Sequence, residues 1–182
     1  MNQLNSPLQF SLVVAIDSEN GIGKNNTIPW QLKGDMQYFR ELTTKTEKQG
    51  TINAVIMGRK TWDSLPERFK PLPERLNIII SRSLELNEDF VQTVLSLDSA
   101  LESLTNFQTQ KIEQVFIIGG AMVYEQAIKH PACSKLFITR LQANFNCDTF
   151  FPVFTDKFKK ISASEIQEEN NLSYCFEIYQ KA

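Results

Sequence analysis

Apolar and polar positions alternate along the chain in blocks of two periods, one for strands and one for helices. "SLVVAID" (Ser11 to Asp17) reads as a buried strand, and "LKGDMQYFRELTT" (Leu32 to Thr44) as a helix with Met36, Phe39 and Leu42 towards the core. "TKTEKQG" is a polar loop, "INAVIMG" (Ile52 to Gly58) a second buried strand, and "RKTWDSL" a short helix. "PERFKPLPER", with Pro66, Pro71 and Pro73, predicts an ordered loop in extended conformation. "NIIIS" is a further strand, and "SLDSALESL" a serine-capped helix with Leu97, Ala100, Leu101 and Leu104 at helical spacing. "QVFIIGG" is a buried strand ending in two glycines, "AMVYEQAIKH" a helix and "KLFITRLQ" a strand. The order then changes: "KKISASEIQ" and "LSYCFEIYQ" read as alternating strands joined by the polar turn "EENN", a hairpin that finishes the sheet. Continuous apolar strands joined by helices predict an α/β fold: a central, mainly parallel sheet flanked by helices, with a C-terminal antiparallel edge hairpin.

Composition adds limits. A chain of 182 residues, 42% hydrophobic, fills one core, so residues 1–182 are expected to form a single domain. A net charge of −2 offers no basic face for nucleic acid or an anionic membrane. Cys133, Cys147 and Cys175 are odd in number, widely spaced and without a CxxC pair, which fits free thiols in a reducing compartment. The one histidine, His130, followed by Pro131, reads as the end of a helix and leaves nothing from which to build a His-based metal site or a Ser-His-Asp triad. The polar N-terminus "MNQLNSPLQF" and the short apolar run after it form neither signal peptide nor membrane span. The Asn-x-Ser/Thr patterns at Asn25 and Asn171 are read as chance.

Ligands of open α/β sheets sit at the carboxyl ends of the strands. Gly119 and Gly120 end one strand, serving either as a tight turn or as main chain that must approach a phosphate or ring. The GxGxxG spacing is absent, and "GIGKNN" lacks the spacing of a triphosphate loop. "MGRKTW" (Met57 to Trp62) and "ISRS" supply Arg59, Lys60, Thr61, Ser81 and Arg82 at two further strand ends, as solvated charges singly and as an anion site together. Asp35 lies among Ile28, Trp30, Met36 and Phe39. It either stabilises the first helical turn through the macrodipole or is a carboxylate held in an apolar cleft, balanced by a specific partner.

These residues carry a resemblance. Pro29-Trp30, an acid five residues beyond that Trp, "MGRKTW", the Ile-Gly-Gly turn and "CDTFFP" occur in the order and spacing of dihydrofolate reductases, and the likeness runs nearly end to end. The "FRELTTKTEKQG" and "PERFKPLPER" loops are similar to those of eukaryotic members. The resemblance implies reduction of dihydrofolate to tetrahydrofolate by NADPH, for one-carbon metabolism and thymidylate and purine synthesis. It further implies a cytoplasmic, monomeric domain that binds dihydrofolate and antifolates, without nucleic acid or membrane partners. Asp35 would accept hydrogen bonds from the pterin's exocyclic amine and ring nitrogen, with Thr139 behind it and Trp30 holding a water. Phe39, Val13, Val14, Ile28, Leu65, Leu72, Ile118 and Tyr124 would wall the substrate, and Arg75 would fork onto the carboxylate of its glutamate tail. On the cofactor side, Ala15, Ile22, Gly23 and Lys24 would close over the nicotinamide. Gly58, Ile118, Gly119, Gly120, Ala121, Met122, Val123 and Tyr124 would face the nicotinamide and pyrophosphate. Arg59, Lys60, Thr61, Ser81 and Arg82 would take the adenosine end, two arginines there favouring NADPH over NADH. No metal is implied.

Two departures from the family stand out: Lys70-Pro71-Leu72 replaces the frequent Arg-Pro-Leu, and Glu74, directly before Arg75, is an acid placed to compete for it. A pyrimidine reductase of riboflavin synthesis shares the sheet and the cofactor but does not account for Trp30, Asp35 and Phe39 together. An inactive relative would be expected to have lost Asp35 or the twin glycines.

Overall fold

The computed structural model describes residues 8–182, so the polar residues 1–7, part of the reading against an address segment, lie outside the described residues. In chain order the strands are β1 (Phe10–Ile16), β2 (Gly21–Gly23), β3 (Thr51–Gly58), β4 (Arg75–Ile80), β5 (Asn87–Glu88), β6 (Val91–Val94), β7 (Lys111–Gly119), β8 (Cys133–Leu141), β9 (Thr149–Phe150), β10 (Phe158–Ala163), β11 (Gln167–Glu169) and β12 (Leu172–Lys181). The α-helices are α1 (Lys33–Thr44), α2 (Arg59–Ser64), α3 (Leu97–Asn106) and α4 (Ala121–Ala127).

One ten-stranded sheet runs β10-β12-β8-β1-β7-β3-β4-β6-β5, with β11 paired to β12; β2 and β9 form a separate two-stranded ribbon. The five pairings from β8 to β6 are parallel, and β12 and β10 close one edge antiparallel, as the sequence predicts. Alternation along the buried strands divides the apolar side chains between two layers. Leu12, Val14, Ile16, Ala54, Ile56, Leu76, Ile78, Val115 and Ile117 pack with α3 and α4. Val13, Val55, Met57, Ile79 and Phe116 pack with Trp62 of α2 and with Phe39 and Leu42 of α1. Ser96 caps α3, its hydroxyl accepting from the Ser99 amide at 3.1 Å.

Several expectations are corrected. Met36 is 54% exposed, because it falls on the flank of α1 while Phe39 and Leu42 take the inward face. The proline loop is not extended throughout: Glu67–Phe69 forms a turn of 3-10 helix. "KKISASEIQ" is two strands, since Ser164 interrupts it, its amide donating to Phe176 O (2.8 Å) and its hydroxyl accepting from Phe176 N (3.0 Å). The hairpin turn reduces to Asn170 and Asn171, both with positive φ (52° and 61°), the backbone that a two-residue loop between right-twisted strands demands. The short strands β2, β5, β6 and β9 were not anticipated. Among the described residues no helix is long and apolar enough to cross a membrane, and no group of three or more His, Cys, Asp or Glu could hold a metal.

Candidate active site

Parallel order brings the C-terminal ends of β1, β3, β4 and β7 to one side of the sheet, and α1 enters there with Asp35 in its first turn. Asp35 is half-buried, and its Oδ1 accepts a 2.6 Å hydrogen bond from the Thr139 hydroxyl. Thr139, 3% exposed, is held in β8 between Ala15 of β1 and Phe176 of β12. Burial pushes the Asp35 carboxyl above the usual carboxylate range; the Thr139 hydrogen bond opposes this, and the charge of Glu169 adds to it. Burial also raises the hydroxyls of Tyr38, Tyr124 and Tyr174, each further by the charge of Asp35.

The apolar wall beside the acid is partly as expected. Val13, Phe39, Leu65, Leu72 and Ile118 belong to one cluster. Val14 does not: its side chain lies in the α3/α4 layer on the opposite face, so it can offer this cleft only main chain. Trp30 is buried with Leu32, Leu141 and Tyr174, its ring tilted against Phe145 at 5.1 Å, and Ala15 packs at the margin of the same group. Ile28 is 64% exposed.

Arg75 is 3% exposed, yet no carboxylate among the described residues pairs with it. Its Nε donates to Pro73 O (2.9 Å), its Nη1 to Thr43 Oγ1 (2.7 Å), and the guanidinium lies 5.8 Å from the Phe39 ring centroid. Burial lowers it to about 10, despite the charge of Glu74. Glu74 does not compete for it directly: at φ 62° its side chain turns out to Arg40, at 3.3 Å. Asn77 fixes the loop, accepting from Leu72 N and donating to Leu72 O and Arg75 O, each at 2.9 Å.

At the end of β7, Gly119 has φ +140°, and a Cβ there would lie 2.8 Å from Thr61 Oγ1; the Gly119–Gly120 peptide is cis. Thr61 therefore faces the twin glycines. A Cβ at Gly58 would meet Val123 at 3.2 Å, so β3, α2 and α4 converge with bare main chain between them. Ala121 is half-buried and Met122 exposed. Tyr124 is buried and its hydroxyl donates to Val13 O at 2.6 Å. Lys60 and Arg82 are exposed; Arg59 pairs through Nε with both oxygens of Asp63 (2.8 and 2.7 Å). The Ser81 hydroxyl already accepts from the amides of Ser83 (3.2 Å) and Leu84 (3.0 Å), which leaves it its proton to donate.

The loop carrying Ile22, Gly23 and Lys24 is anchored by residues the sequence reading missed. Buried Asp17 accepts from the amides of Glu19 (2.9 Å), Gly21 (2.7 Å) and Phe145 (3.1 Å). Burial opposes its ionisation, but these amides and the Cys147 thiol outweigh it and hold the carboxyl below its ordinary value. Asp148 accepts from Asn25 N (2.8 Å) and donates its own amide to Gly23 O (3.0 Å). An acid directly after a strand, as in "VAID", is the signal that could have flagged Asp17.

Fold and site together define a small α/β enzyme with one half-buried carboxylate, an apolar wall, a buried arginine and a bare main-chain turn at the end of a parallel sheet. The family model described as Dihydrofolate reductase matches residues 9–181. The rat dihydrofolate reductase is 40% identical, covering 94% of this chain and 97% of the relative; that of Drosophila melanogaster is 37% identical, covering 96% and 98%. The solved structure of Schistosoma mansoni dihydrofolate reductase superimposes with a TM-score of 0.85 at 38% identity, covering 97% of this chain and all of that one. The chain belongs to the dihydrofolate reductase family.

Proposed function

We propose that the chain reduces 7,8-dihydrofolate to tetrahydrofolate with NADPH, and that Asp35 orients the pterin and raises the basicity of its imine nitrogen. The observation that carries this reading is the Asp35–Thr139 pair: the hydroxyl occupies Oδ1 and leaves Oδ2 to accept from a planar, cationic or amino-bearing ring. Phe39, Val13, Leu65, Leu72 and Ile118 form the slot for that ring, with Ile28 at its mouth. Tyr124 instead packs with Val14 in the opposite layer and steadies Val13 through its hydroxyl. Trp30 holds a water near the acid. Catalysis then rests on positioning, exclusion of water by the loop that Asp17 and Asp148 anchor, and the field of Asp35. A test is NADPH absorbance with and without dihydrofolate. Dihydrofolate should accelerate its oxidation by orders of magnitude, and no acceleration would refute the assignment.

NADPH, when bound, supplies the hydride. The residues present fit it. A side chain would collide at Gly119 and be crowded at Gly58 and Gly120, so main chain is left bare there. That suits close approach of a ring or pyrophosphate, with Ala121, Met122 and Val123 following. Ala15, Ile22, Gly23 and Lys24 border the nicotinamide; Arg59, Lys60, Thr61, Ser81 and Arg82 serve the adenosine end. Arg59 keeps its terminal nitrogens for a phosphate while Asp63 holds Nε. Arg59→Ala should weaken NADPH roughly tenfold to a hundredfold, about 1.5–3 kcal/mol, and NADH far less. Equal losses in a binding titration would place the ribose phosphate elsewhere.

Arg75 binds the glutamate carboxylate of the substrate. A buried guanidinium whose protein partners are neutral oxygens has its charge uncompensated, and an incoming carboxylate supplies the balance. Arg75→Gln should raise KM for dihydrofolate roughly tenfold to a hundredfold while changing kcat little. A substrate analogue without the glutamate should show no such rise, and an equal rise for both would remove Arg75 from this role.

A further inference from the structure

We infer that Glu169, in the C-terminal hairpin, is a positioning residue for Asp35: its carboxylate holds the first turn of α1 and is the negative charge against which the acid works. This rests on the role of Asp35 proposed above.

Helix α1 begins without a cap of its own. Leu32 stands at the cap position in extended conformation and makes no side-chain cap bond. The free amides of Lys33 and Gly34 donate instead to Glu169, at 2.8 Å to Oε1 and 3.0 Å to Oε2, across 136 and 135 residues of sequence. A carboxylate is the strongest acceptor available for such amides, and it complements the positive end of the helix dipole. The same hairpin grips the segment twice more. The Asn170 side-chain amide donates to Gln31 O at 3.3 Å. The Tyr174 hydroxyl, which donates to Gln167 Oε1 at 3.3 Å, lies so close to Gly34 that a side chain there would collide with it.

Asp35 follows the clamp by one residue and is tied at its other end to Thr139. Both ties lead to β12: Glu169 pairs with Leu172, and Thr139 lies opposite Phe176. The groups facing the acid from the elements around it are the Thr139 hydroxyl (β8), the phenols of Tyr38 (α1), Tyr124 (α4) and Tyr174 (β12), and the carboxylate of Glu169 (β11), with Lys33 beside Glu169. Glu169 is the charge among them that opposes ionisation of Asp35, and it is itself kept ionised by the Gly34 and Lys33 amides. Two carboxylates thus share one helix end. The outer one takes the amides, and the inner one is left more eager for a proton or a cationic ring.

Glu169→Gln removes the charge and keeps one of the two cap bonds, since its amide has a single acceptor oxygen and turns an NH2 towards the other main-chain N–H. The pH dependence of the deficit is therefore what separates charge from cap. Hydride transfer, followed as single-turnover NADPH oxidation across pH, should be roughly two- to fivefold slower at neutral pH. The deficit should vanish in acid, so that the descending limb moves to lower pH. Glu169→Ala should in addition lower Tm and raise KM for dihydrofolate. In the Asp35→Asn background, Glu169→Gln should no longer move the profile. A Gln variant whose rate falls by one factor at every pH, or not at all, would overturn the inference and leave a cap with no bearing on the acid. Failure of the unmodified enzyme to oxidise NADPH with dihydrofolate would instead remove the parent reading.

Discussion

Replacing Asp35 by Asn is expected to slow hydride transfer at neutral pH by roughly 10²–10⁴-fold, with partial recovery in acid. Asparagine can still accept from Thr139, so the local geometry should survive. What disappears is the negative charge proposed to orient the pterin and to favour protonation of its imine nitrogen. In acid the substrate arrives already protonated and part of that contribution is no longer needed. A loss independent of pH would contradict the role. The same variant should be more stable than the parent. Burial and Glu169 raise the folded carboxyl above its unfolded value, so the native state binds protons more tightly than the unfolded chain. The parent's stability therefore falls as pH rises through the folded pKa, and below the unfolded value the cost vanishes. Asp35→Asn should raise Tm at neutral pH by a few degrees, about 2–4 °C per kcal/mol, with the gain closing in acid. Thermal melts at two pH values, beside the rate profile, check both halves.

Gly119→Ala should be the most damaging change on the proposed cofactor side. Its φ of +140° is closed to side chains, and the new Cβ would sit 2.8 Å from Thr61 Oγ1. Backbone strain and the collision together should cost roughly 2–4 kcal/mol, about 5–15 °C in Tm, with NADPH affinity reduced at least tenfold. Gly50→Ala is the control. It also has positive φ, at 78°, but its Cβ would meet nothing within 4 Å, so it should cost about 1 kcal/mol and leave NADPH binding alone. If the two variants melt alike and bind NADPH alike, close approach at Gly119 is not what that position requires.

The long elements were readable because their residues answer to one dominant force. From Ala54 to Met57 and from Val115 to Ile118 the apolar side chains alternate between the two layers, and in "SLDSALESL" cap and apolar stripe agree. Strands of two to four residues such as β2 and β9 carry no period, and exist because Asp17 and Asp148 pin their loops from elsewhere in the chain. Met36 was misplaced because local spacing does not say where an amphipathic stripe ends. For the site, the local pattern raised Asp35 and the twin glycines as candidates, and the family resemblance added Thr139. Neither revealed that Val14 faces away, that Asp63 takes the Nε of Arg59, or that Thr43 steadies Arg75. Glu169 was hidden most deeply, since an acid in a polar turn looks like solvated surface until the fold sets it against a helix 135 residues away.

Strand β10 precedes β12 in the chain but lies outside it, with β12 inserted between β10 and β8. The outer strand therefore reaches the sheet only when its later neighbour pairs with β8. Until then the flank of β8, with Thr139 on it, stays open as a row of unsatisfied amides and carbonyls able to recruit a stray strand. The edge beside Thr139 is thus closed by β12, and the candidate pocket is complete only with that strand in place.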